Sequence, residues 1–169
     1  MEIVKYIALG SIFFASSYIG ILIAKKYTNR VKELKQMKIA LNIFATKVKF
    51  TYEPIPKIFQ EISNKVEGIT SQIFRIAAEK MQEKEAGAAW IEALEVKANM
   101  INKEDKEILK GLSNLLGKVD MEGQVSEIEL VDTFLNTQIE KAEQESKKNE
   151  KLYKTLGVTA GLAIVVVLI

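Results

Sequence analysis

Charged and uncharged residues fall into blocks along the chain. Residues 6–24, YIALGSIFFASSYIGILIA, run for nineteen positions without a charge. Roughly 20 apolar residues are what a helix needs to cross a bilayer. A second uncharged run, Thr155 to Ile169, follows Lys154. As a helix it reaches about 22 Å against a hydrocarbon core of about 30 Å. Tyr153 at the interface, a snorkelling Lys154 and slight bilayer thinning make up the difference. Both runs are expected to be membrane spans. A cleaved signal peptide fits the first run less well: its apolar core is about 7–15 residues, and ILIAKKY is a poor cleavage site. A buried core helix would be unusually apolar on all sides.

Between the runs, apolar residues recur at helical rather than alternating spacing. The first span is expected to continue as one helix to about Thr51, with Val31, Leu34, Leu41, Phe44 and Val48 as its stripe. TYEPIP breaks it: Pro54 disfavours helix at Glu53, and Pro56 suits the first turn of the next helix. That second helix buries Ile55, Phe59, Ile62 and Val66 and is expected to end at Gly68. Thr70 or Ser71 is expected to cap a third, with Ile73, Phe74, Ala77 and Met81 inward. A fourth runs from about Ala86 to Met100, its stripe Trp90, Ile91, Leu94 and Ile101. Asn102 caps a fifth, which opens with Glu104 and Asp105, packs Ile108, Leu109, Leu112 and Leu116, and ends at Gly117. A sixth starts near Glu122, with Val125, Ile128, Val131, Leu135 and Ile139 inward. It continues through the mixed-charge AEQESKKNEK into the second span. The expected fold class is all-α: a membrane-anchored bundle of five to six helices between two transmembrane helices. The divisions are 1–26, 27–151 and 152–169.

Charge sets the orientation. Lys25, Lys26, Arg30, Lys32, Lys35 and Lys38 follow the first span, opposed only by Glu33. Lys141, Lys147, Lys148, Lys151 and Lys154 precede the second, and Lys5 alone lies outside. Lys and Arg close to a span favour the cytoplasm, so the helical domain is expected to face the cytoplasm with both termini outside. Anionic headgroups should attract the basic clusters. Nucleic-acid binding would want more Arg and stacking aromatics, and the net charge is only +2.

The chain has no His and no Cys. That removes the commonest acid–base group, thiol nucleophiles, thiolate metal sites, disulfides and a lipoprotein anchor. No phosphate-binding glycine loop occurs. Glu143 and Glu145 read as solvated surface. No catalytic residue, cofactor, metal or small-molecule substrate is expected. Trp90 reads as a core anchor, and Pro54 and Pro56 as a helix break. Gly157 and Gly161 form a GxxxG in the second span, and Ser16 and Gly20 form a similar small pair in the first. Such spacing lets helices approach closely, within the chain or toward a partner.

Several segments carry a resemblance over essentially the whole length. They are Tyr52, Pro54, Pro56 and Phe59 in TYEPIPKIF; Ala89, Trp90 and Leu94 in AAWIEAL; Leu112, Leu116, Gly117, Asp120 and Gln124 in LSNLLGKVDMEGQ; and Lys151, Tyr153, Leu156, Gly157, Gly161 and Leu162 in NEKLYKTLGVTAGL. In their order and spacing the chain resembles the stage III sporulation protein AB family. Glu53 departs from the family's small or Thr residue beside the first proline. The resemblance implies a non-enzymatic platform in a secretion-like channel complex between mother cell and forespore. It implies similarity to the inner-membrane platform proteins of type II secretion and type IV pilus systems. It also implies a location in the mother-cell membrane around the forespore. The implied partners are the lipid bilayer, a secretion-type ATPase (stage III sporulation protein AA) and other channel components. Tyr52, Pro54, Pro56, Phe59, Trp90, Gln124, Gly157 and Gly161 are the candidates for partner contact or helix packing. Two other readings compete: a generic two-span adaptor or signalling module binding a cytosolic partner, and a membrane enzyme acting through Asp and Glu. A pore would want charged residues in the spans, and there are none.

Overall fold

The computed structural model describes residues 2–51, 53–97, 100–116 and 121–168. Among these residues there are six α-helices, one 3₁₀ turn and no strand. Helix α1 runs over Glu2–Phe50 and α6 over Met121–Leu168. Between them come α2 (Ile55–Ser63), α3 (Gly68–Lys80), α4 (Ala86–Lys97), α5 (Lys103–Lys110) and the 3₁₀ turn Gly111–Asn114. The chain divides into two compact units. One joins Met1–Val31 to Lys141–Ile169, and the other is Lys32–Glu140.

In the second unit, α1 buries Leu34, Met37, Leu41, Phe44 and Val48, the 3.6-residue stripe of an amphipathic helix. Pro54 sits in extended backbone (φ −60°, ψ 140°) as the residue before α2, and Pro56 follows within its first turn. A proline there loses nothing, because the first N–H groups of a helix have no intrahelical acceptor. Ile58, Phe59, Ile62 and Val66 are buried. Asn102 caps α5 with a reciprocal capping box: its side chain accepts from the Asp105 N–H (2.7 Å), and Asp105 accepts from the Asn102 N–H (3.0 Å).

Three local expectations are corrected. Gly68 does not end α2, which stops at Ser63; it opens α3 with φ +70°. Neither Thr70 nor Ser71 is the capping residue of α3. Glu67 holds that position without a side-chain cap bond, and the acceptor comes from α1. The Glu33 carboxylate accepts from the Thr70 N–H (3.1 Å) and hydroxyl (3.2 Å). Ile91 is exposed, while Ala89 and Ala93 are buried with Trp90 and Leu94. Small side chains there let α4 lie close against its neighbours, which turns Ile91 outward. Gly117 and Asp120 lie outside the described residues.

Candidate functional site

Two places gather the residues singled out above, one in each unit. In the first unit, α1 and α6 run antiparallel and meet through small residues. Gly20, Gly157 and Gly161 are all buried. A Cβ added to Gly20 would come 2.5 Å from the Tyr153 carbonyl oxygen and 2.9 Å from the Gly157 Cα. A Cβ added to Gly157 would come 3.0 Å from both the Gly20 Cα and the Ser16 carbonyl oxygen. The backbones touch, so no side chain fits between them. Ser16 uses the proximity: its hydroxyl donates to the Gly157 carbonyl at 2.8 Å. Gly161 lies against Phe13 and Ser16. Farther along the pair, Tyr27 and Tyr153 stack with ring centroids 5.7 Å apart, and Arg30 pairs with Glu145 at 2.7 Å.

The outward surface of this unit is apolar. Ile7, Phe14, Tyr18, Leu22, Leu162 and Val166 are exposed. Both α1 and α6 contain an 18-residue stretch long and apolar enough to cross a membrane, and only 17% and 11% of those stretches is buried within the protein. The core helix of a soluble protein would be mostly covered; these are not.

The second place is the corner between α1 and α2 and the aromatic cluster behind it. Phe59 packs edge-on against Phe44 (5.2 Å), Phe74 (4.8 Å) and Trp90 (5.7 Å). The Trp90 indole N–H donates to the Leu109 carbonyl at 2.7 Å, adding a second donor to an oxygen that already accepts a backbone N–H at the end of α5. The side chains of Phe59 and Trp90 are fully buried in this cluster. Pro54 is exposed and Pro56 half-buried. Tyr52 and the side chain of Gln124 lie outside the described residues. Glu53 bridges Lys47 (3.0 Å) and Lys57 (3.2 Å), and Lys47 also meets Glu61 (2.7 Å). These cations, Lys47 foremost, hold the Glu53 carboxyl below its ordinary range.

Sequence reasoning missed Glu33. One signal marked it: it is the single acidic residue in a basic run, and it falls beside Leu34 on the apolar stripe of α1. It also missed the Arg30–Glu145 bridge, because Glu145 looked like one charge among many.

The profile of the family described as stage III sporulation protein AB matches residues 5–169. The chain belongs to that family. Membership places it among sporulation proteins. Stage III sporulation protein AB of Bacillus subtilis strain 168 is 29% identical over 166 residues, covering 95% of this chain and 97% of the relative. A solved structure of a stage III sporulation protein AB superposes with a TM-score of 0.66 at 23% identity, covering 70% of this chain and 96% of that one. That likeness concerns the fold.

Proposed function

We propose that this protein is a non-enzymatic platform in a sporulation channel complex, anchored by two spans. Segments 1–26 and 152–169 cross the mother-cell membrane around the forespore, and residues 27–151 face the cytoplasm. The helical domain docks partner proteins there, among them a secretion-type ATPase of the stage III sporulation protein AA kind. One observation carries the reading: in a chain of this family, a packed helical bundle joins two helices whose apolar surfaces lie uncovered. Uncovered apolar surface on that scale calls for lipid. The excess of Lys and Arg between the spans supports the cytoplasmic assignment. The buried aromatic cluster and the bonds from Thr70 to Glu33 tie α1, α2, α3 and α4 of the bundle together, which suits passing on a partner's ATP-driven movement.

The test is a clean deletion strain scored for heat-resistant spores, with pull-down of the tagged, complementing protein from sporulating cells. The reading expects a collapse in spore count that the intact gene restores, and co-purification of the ATPase. Normal spore counts, or rescue without any channel component in the pull-down, would overturn it.

A further inference from the structure

Most lysines of the second unit that face a carboxylate are tied to it. Lys47 meets Glu53 and Glu61, Lys80 and Lys84 share Glu92, and Lys106 and Lys110 share Glu95. The first unit is different. Lys25, Lys26, Lys147, Lys148 and Lys151 are exposed, and none of these side chains makes a hydrogen bond or ion pair with another described residue.

These five lysines share one band of the helix pair. The Tyr27–Tyr153 stack and the Arg30–Glu145 bridge bring residues 25–30 of α1 alongside residues 145–154 of α6. Ten helical residues span about 15 Å, so the band is shallow. It holds two carboxylates, and both are engaged: Glu145 by Arg30 at 2.7 Å and Glu150 by Lys154 at 2.6 Å. Seven Lys and Arg against two Glu leave an excess of five positive charges. Immediately beyond the band, α1 enters the uncharged run 6–24 and α6 enters the run that starts at Thr155.

We propose that this band is a binding collar for anionic phospholipid headgroups. The inference rests on the reading that the two apolar segments lie in a bilayer, since that puts the band at headgroup level. Clusters of four to eight Lys or Arg directly beside a span attract acidic lipid. The residue types favour lipid over nucleic acid. Lysine is a compact, mobile point charge suited to phosphate on a fluid surface, whereas Arg reads planar, bidentate partners. The band's only Arg is taken by Glu145, and its two Tyr rings are stacked on each other rather than open to bases. Arg30 and Lys154 neutralise the local carboxylates, so the remaining lysines act without internal competition.

The experiment uses the full chain in neutral detergent. It is titrated with phosphatidylglycerol and with phosphatidylcholine of matched acyl chains, and bound lipids are counted by native mass spectrometry. We expect at least about tenfold preference for phosphatidylglycerol, weakening with added salt as exposed charges are screened. Replacing all five lysines by Gln should abolish the preference, and replacing them by Arg should keep it. Replacing Lys65, Lys97 and Lys103 by Gln should leave it unchanged. Circular dichroism checks that each variant stays helical. Equal binding of the two lipids, or a preference that survives the five Gln substitutions, would overturn the proposal. So would tighter binding of a single-stranded RNA oligomer than of phosphatidylglycerol, or full displacement of the lipid by millimolar inorganic phosphate. Carbonate extraction of native membranes separates the two readings. A chain that is extracted removes the membrane reading itself, whereas a chain that stays embedded but shows no lipid preference removes only the collar.

Discussion

Gly20 and Gly157 meet backbone to backbone: a Cβ on either one would fall within 3.0 Å of the other's Cα. Where lipid surrounds two helices, burying apolar side chains gives them no reason to associate, and close packing of small residues takes over. The Ser16 hydroxyl adds a bond to the Gly157 carbonyl that only this approach permits.

Gly157→Leu is therefore expected to separate α1 from α6. Forced overpacking costs about 1–3 kcal/mol. The chain lacks cysteine, which makes a clean assay available. A Cβ at position 161 would lie 3.2 Å from the Ser16 Cβ, near the ~3.5–4.5 Å of a disulfide. Ser16→Cys with Gly161→Cys should cross-link on mild oxidation in membranes, and adding Gly157→Leu should abolish the cross-link.

Gly68→Ala is expected to lower the thermal midpoint. The residue has φ +70°, and a Cβ there would overlap the Glu33 carboxylate. Left-handed backbone in a non-glycine residue alone costs of order 1–3 kcal/mol. Glu33→Ala should cost roughly 1–3 kcal/mol by leaving the buried Thr70 N–H unpaired. Combined, the two should cost less than their sum, because removing the carboxylate removes the overlap and leaves only the φ strain. A double-mutant cycle on the full chain in detergent, followed by urea unfolding, measures that coupling.

Trp90→Phe keeps the ring in the aromatic cluster but removes the donor to the Leu109 carbonyl. That oxygen keeps its backbone donor at the end of α5, so the loss should be that of one hydrogen bond, about 0.5–1.5 kcal/mol. Trp90→Ala should cost about 3–5 kcal/mol. The chain has one Trp, so unfolding of both variants must be followed by circular dichroism rather than by indole fluorescence.

Acid is expected to loosen the α3–α4 connection. Lys80 and then Lys84 pull the Glu92 carboxyl from 4.5 to about 2. Lys110 and Lys106 lower Glu95 in the same direction. A carboxyl with a depressed folded value stabilises the protein above its unfolded value, and that contribution is lost as pH falls toward the folded value. Thermal midpoints should hold steady from pH 7 to 5 and fall between about pH 4.5 and 2. Glu92→Gln should flatten part of that slope and change little else, since exposed ion pairs contribute weakly.

The orientation has its own expected outcome. A single Cys replacing Lys65, which is exposed, should react with a membrane-impermeant maleimide only after lysis. A Cys replacing Ile3 should react in intact cells that make the chain outside sporulation, where the membrane's outer face is open to the medium. The opposite pattern would invert the assigned topology.

Much of this protein is legible in its sequence. Pro54, Pro56 and Asn102 mark helix starts that the structure reproduces, because caps and proline constraints act within about four residues along the chain. The core stripes Leu34–Leu41–Phe44 and Ile128–Val131–Leu135 follow directly from the 3.6-residue period and are buried. The all-α class and the two membrane-length helices rest on the same local rules.

Tertiary structure decided what depends on residues far apart in sequence. The α3 start needed an acceptor, and Glu33 supplies it from thirty-seven positions away, so no local capping rule could have found it. Ile91 lies on an apolar stripe but faces out, because Ala89 and Ala93 allow the closer approach on the other side of α4. Glycine spacing marked Gly157 as able to pair, while the partner backbone at Gly20 and the Ser16 bond belong to the packed pair alone. Local periodicity and caps specify which segments are helical. Which faces touch is settled by steric fit and by unpaired polar groups finding partners, and both exist only once the chain has folded.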